Sequence, residues 1–205
     1  MTDEFGKYIG ATRRALGIGI SQLAYGLCST SMLSRIESGE RYPDKMLRDR
    51  LLGRLGIAGY DYECYLNADE YEAWELRMSI LDLIREGKIE EVRKRLDRLS
   101  IPDSDKIMRQ FYLFAVSHIL KQENVHDRLG KIFQEALLLT VPDISSGIES
   151  LVLSVQELSL IMDFVYYNKM SECIDIYEAV LKYIERPHFD KFFWLVGCMP
   201  SFRTL

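Results

Sequence analysis

Few stretches of this chain carry side chains that could do chemistry, and the clearest is Ser29–Gly39. Thr30, Ser31, Ser34 and Arg35 place three hydroxyls and a guanidinium on a short segment whose apolar members include Leu33 and Ile36. Ser29 is a natural N-cap, and Gly39 stands where a helix-ending glycine belongs. A short capped helix with hydroxyls and a guanidinium on its polar face suits a DNA major groove, where arginine forks to guanine and hydroxyls read bases less decisively. Catalytic arrangements are absent by comparison. His118, His126 and His188 share no ligand spacing, and none has a Cys or Asp arranged with it for nucleophilic work. Cys28, Cys64, Cys173 and Cys198 form no C-x-x-C pair, so neither a zinc site nor a disulfide framework is expected. There is no Walker loop, no G-x-G-x-x-G and no H-E-x-x-H. No enzyme, metal or cofactor follows from this pattern.

The elements that must position Thr30–Arg35 are legible around them. Phe5, Ile9, Thr12 and Leu16 recur at helical spacing and Gly17 ends that first helix. Leu23-Ala24 mark a second short helix, with Gly26 near the bend that leads into the third. Pro43-Asp44 opens a fourth, carrying Leu47, Leu51 and Leu55 on one face and stopped by Gly56.

With Ile9-x3-Arg13, Leu23-Ala24, Leu33-Ser34-Arg35-Ile36-Glu37-x-Gly39, Pro43 and Leu51-Leu52-x2-Leu55-Gly56 on the page, residues 5–57 resemble the helix-turn-helix of the Xre, phage-repressor-like family. The turn is one residue shorter than the commonest family spacing, with Cys28 near the usual glycine. Ile20 replaces the polar residue that often opens the second helix and touches phosphate. The Gly-Leu-Cys-Ser turn is similar to a variant of the Rgg/PlcR type. The resemblance implies that Thr30, Ser31 and Arg35 reach base edges, with Ser34 on the same face. It also implies that Arg41 and Tyr42 grip phosphate in the following loop and that Arg13 and Glu37 form a structural salt bridge. Arg14 is left either on phosphate or in solvent.

Charge and composition frame this reading. The 205 residues have a net charge of −5. Residues 1–58 nevertheless carry nine cations against six acids, a net +3, which leaves −8 for the remainder. A mildly basic head on an acidic body fits a DNA-binding module joined to something else, and so small an excess suggests that two heads are needed. No apolar run reaches the roughly 18 residues of a membrane span, and Met1-Thr2-Asp3-Glu4 is not a signal-peptide start, so a cytoplasmic protein is expected.

Beyond Gly59–Glu63, the expected junction, the pattern changes to amphipathic helices in pairs, with no sustained two-residue alternation and hence no strands. Trp74 to Ile84 and Ile89 to Leu99 make the first pair, separated by Gly87. Ile107 to Phe114, capped by Ser104, and Leu129 to Leu137 make the second. Ser146 to Val165 and Cys173 to Ile184 make the third, ended by Pro187. The return helices recur in steps of about 38 and 45 residues, similar to loose tetratricopeptide hairpins. The expectation is an all-α chain. A phage-repressor-like head at 1–58 and a connector at 59–68 lead to a tetratricopeptide-like stack at 69–205, whose concave surface holds a partner.

The resemblance implies a DNA-binding transcriptional regulator that acts as a homodimer on double-stranded DNA and answers to a peptide or protein effector. Residues Phe189–Met199 look like one more apolar helix without a return helix, available to a second subunit. The competing class is a helical-repeat adaptor whose head has lost sequence-specific binding, kept open by the acidic pI near 5.3 and by Ile20.

Overall fold

The computed structural model describes residues 2–57, 68–99, 101–102, 104–144, 147–169 and 173–186. Residues 59–67 of the expected connector, the Pro187 stop and the apolar segment Phe189–Met199 lie outside the described residues. Among the described residues the chain is helical and has no strand, and no helix is long and apolar enough to cross a membrane.

Four helices come first: α1 (Thr2–Ala15), α2 (Ile20–Ala24), α3 (Thr30–Glu37) and α4 (Lys45–Arg54). Their caps are local side-chain chemistry. The Met32 amide donates to Ser29 Oγ and the Leu47 amide to Asp44 Oδ1, each satisfying an orphan N–H of the first turn. Gly17 and Gly56 sit at φ +68° and +74° beyond α1 and α4, and Gly39 at +79° beyond α3. Phe5, Ile9, Leu23, Ala24, Leu33, Ile36, Leu47, Leu51, Leu52 and Leu55 are buried in one cluster, each large apolar side chain contributing roughly 1.5–3 kcal/mol. Gly6 sets how closely α1 crosses α3. A Cβ at that position would lie 1.9 Å from the Ile36 carbonyl oxygen, so the two backbones meet there directly.

Six further helices follow: α5 (Ala68–Arg85), α6 (Ile89–Leu96), α7 (Lys106–Gln122), α8 (Leu129–Thr140), α9 (Val155–Tyr167) and α10 (Cys173–Ile184). Each packs on the next along the chain. The α5–α6–α7 layer buries Ile80, Leu83, Val92, Leu96, Ala115 and Ile119. The α8–α9–α10 layer is centred on Phe133, Ala136, Leu158, Ile161, Val165 and Tyr183. Two buried polar side chains in these layers are tied to backbone: Gln110 Nε2 donates to the Ala136 carbonyl, and the Leu153 amide to the Tyr183 hydroxyl, at 2.8 and 2.7 Å.

Two expected boundaries move. The cap of α7 is Asp105, which accepts from the Met108 amide, and not Ser104. The third pair does not start near Ser146. Ile148–Ser150 form a single 3-10 turn after Gly147 at φ +87°, and Leu151–Leu153 run on to the cap of α9. The helix begins only at Val155, because Ser154 and Glu157 close a reciprocal capping box. The apolar residues Val152 and Leu153, which continue the helical pattern in the sequence, are buried from a non-helical segment instead.

The two groups of helices meet over a polar and apolar seam. Ile107 of α7 and Val152 join the buried cluster of α1–α4. Glu70, in the first turn of α5, accepts from the Lys45 amide and from Arg48 Nη2, placing an acid at the positive end of α4.

Candidate nucleic-acid interface

The outer face of α3 is the one expected from its sequence. Leu33 and Ile36 are buried, while Thr30, Ser31, Ser34 and Arg35 are exposed on the opposite side. Ser29 holds the first turn, so Thr30 and Ser31 stand exposed at the N-terminal end. The far end carries the charges. The Arg41 amide donates to the Arg35 carbonyl at 3.0 Å, which folds the loop back against the end of α3. The Arg35 guanidinium, 61% exposed, lies 3.7 Å from the equally exposed Glu40 carboxylate, which also accepts from Ser38 Oγ. A pair so wet is worth little and opens readily to a better partner.

Behind this face, Arg13 donates through Nε and Nη2 to the two oxygens of Glu37, at 2.7 and 2.8 Å, and through Nη1 to the Ile18 carbonyl. Its hydrogen bonding to the Glu37 carboxylate, opposed by burial, holds the Arg13 guanidinium above its ordinary range. Arg14 is exposed and stands 3.8 Å from the same carboxylate. Tyr42 turns inwards: its ring packs edge-on against Phe5 at 5.8 Å and lies under the Arg48 guanidinium at 4.8 Å.

Arg14, Arg35 and Arg41 therefore gather around the C-terminal end of α3, and Lys7 is exposed on α1. The other five cations of the head are not on its surface in any comparable way. Arg13 is held by Glu37, Lys45 by Asp49 at 3.1 Å, Arg48 by Glu70, and Arg50 and Arg54 by Glu157. The charge excess read from the sequence is thus mostly spent inside the protein, and the cations that face solvent are fewer than the count suggests.

Arg54 and Glu157 are the residues that sequence reasoning passed over. Both are fully buried. Arg54 donates Nε and Nη2 to the two oxygens of Glu157 at 3.1 and 2.7 Å, Nη1 to the carbonyls of Leu23 and Tyr25, and Nη2 to that of Thr140. Glu157 also accepts from the Ser154 amide and hydroxyl, both at 2.9 Å. Burial alone would raise its carboxyl; the charges of Arg54 and Arg50 and these hydrogen bonds outweigh that and bring it down to about 2. Burial likewise lowers the Arg50 guanidinium, while Glu157 pulls it back up. The signal available in the sequence was the Ser154-x-x-Glu157 capping box; nothing local marks its partner, since Arg54 lies 103 residues away.

Cys28, in the turn before α3, is a half-buried free thiol raised by that burial, with Arg54 and Arg41 acting in the opposite sense. Among the described residues no cluster of His, Cys, Asp or Glu could hold a metal ion. Comparison with family models, curated proteins and solved structures finds no match to this chain.

Proposed function

We propose that the chain is a sequence-specific DNA-binding transcriptional regulator of the Xre type, with α3 as the helix that enters the major groove. The observation that carries this reading is the division of α3 itself. Its buried face is apolar and packs against α1 and α2, while its solvent face holds Thr30, Ser31, Ser34 and Arg35 with no apolar residue among them. Arg14 and Arg41 are exposed beside the C-terminal end of that face, where they would meet phosphate, and Arg35 is paired, among the described residues, with an exposed glutamate that a guanine would displace. Helices α5–α10, packed one on the next, have the character of tetratricopeptide-like hairpins. In this reading they carry the homodimer contact and the site for a peptide or protein effector.

A second reading is favoured by one specific finding. Five of the nine head cations are held by internal acids, which leaves a weak electrostatic footprint for DNA. It makes the chain a helical adaptor with a vestigial head. Selection from random duplexes with the purified full chain separates the two. A defined motif, repeated with inverted symmetry, supports the regulator; salt-sensitive binding without sequence preference supports the adaptor.

A further inference from the structure

Three helix ends converge on one guanidinium. The carbonyls of Leu23 and Tyr25 are left over at the C-terminal end of α2, and that of Thr140 is left over at the C-terminal end of α8. Glu157 belongs to the first turn of α9. Arg54, from α4, donates to all of them, so a cation stands at two negative helix ends while its counter-ion stands at a positive one. Gly26 completes the junction: it has φ +72°, and a Cβ there would lie 2.0 Å from the Thr140 carbonyl oxygen. The turn that leads into α3 is therefore seated on the end of α8 by backbone contact on one side and by Arg54 on the other. Gly53, one residue before Arg54, meets Ser154 closely in the same seam.

We propose that Arg54 and Glu157 are positioning residues for α3. Neither reaches the exposed face of the head. Together they fix the turn Tyr25–Ser29 against α8 and α9, and so set where the Thr30–Arg35 face stands relative to the rest of the molecule. The proposal rests on the DNA-binding reading for its effect on DNA, and on the structure alone for its effect on the junction.

The test uses the full chain and two kinds of measurement. In Glu157→Gln the amide cannot match the charge of Arg54, and amide hydrogen exchange without DNA should quicken at least about tenfold at both Leu23–Cys28 and Leu137–Val141, leaving α5–α6 unchanged. Glu37→Gln, the control inside the head, should quicken exchange in α1 and α3 but not at Leu137–Val141. Should Glu157→Gln fail to fold, Arg50→Met and Arg54→Met combined with Glu157→Met remove all three charges of the cluster and leave no unpaired ion, and the same two segments should respond. On the operator obtained by selection, the variant should keep the same base preferences with affinity reduced by about tenfold or more, since α3 is intact but its placement is not. Exchange that rises on only one side of the junction, or unchanged affinity for the operator in a folded variant, overturns the positioning role. If no operator emerges from selection, the regulator reading fails, and the paired exchange response still decides the junction.

Discussion

The Arg13 guanidinium grips both oxygens of Glu37 and, with its remaining nitrogen, the carbonyl of Ile18, so one side chain joins α1, α3 and the turn into α2. Both partners are nearly nine-tenths buried. Glu37→Gln should leave Arg13 half-paired and lower the stability of the head by about 1–3 kcal/mol. Glu40→Gln, which touches only exposed Arg35 and Ser38, should fall within about 0.5 kcal/mol of the parent. Thermal unfolding of the two variants side by side measures the difference; equal midpoints would contradict it.

Readout and grip are separable on α3 and the loop after it. Arg35→Ala should cost roughly 1–3 kcal/mol on the selected operator and relax preference at one base pair. Arg41→Ala should weaken operator and random duplex alike and reduce the dependence on salt, as expected for a lost phosphate contact. Titrations of both variants on both duplexes at two salt concentrations give the comparison.

Two glycines of the head make opposite demands. Gly6→Ala would drive a methyl group into the Ile36 carbonyl, so α1 and α3 must separate and the head should fail to fold or melt far below the parent. Gly17 has open space around it and only a left-handed backbone to defend, so Gly17→Ala should cost roughly 1–2 kcal/mol. Far-ultraviolet dichroism during heating distinguishes loss of the head from mild destabilisation.

Acid should lower the stability of the protein in two stages. Burial, with a smaller contribution from Lys121, lowers the His118 imidazole from 6.5 to about 4, so the folded state keeps it neutral. As pH falls from 6.5 towards 4 the unfolded chain takes up this proton first, and stability declines on the order of 3 kcal/mol. Glu157 acts lower down. Its carboxyl lies at about 2 against an ordinary 4.5, so its contribution is complete above 4.5 and lost as pH falls towards 2. His118→Leu should flatten the first stage, and Glu157→Gln the second. Denaturant melts across pH 7 to 3 on each variant check the assignment.

What was legible in the sequence was local. The caps Ser29 and Asp44, the stops Gly17, Gly39, Gly56 and Gly87, and the starts of the return helices α6, α8 and α10 near the expected positions all follow from side chains acting within a few residues. The polar face of α3 was visible for the same reason: helical spacing alone separates Leu33 and Ile36 from Thr30, Ser31, Ser34 and Arg35. The start of α9 was not, because Leu151–Leu153 continue an apolar pattern that a segment buried on several sides shares with a helix. The destiny of Arg50 and Arg54 was the hardest to see. An arginine in a basic head reads as a surface charge, and only a glutamate over a hundred residues away turns it inwards.

That inward turn bears on how this molecule can be recombined. The segment between residues 57 and 68 looks like a place to cut, and a graft of the first four helices onto another scaffold would treat it so. The graft would carry away Arg54 without the carboxylate that neutralises it, and Gly26 without the carbonyl it rests on. Inheritance of the head therefore extends past its own chain segment to Glu70, Ile107, Thr140, Val152, Ser154 and Glu157. Chimeras that respect only the connector divide that unit.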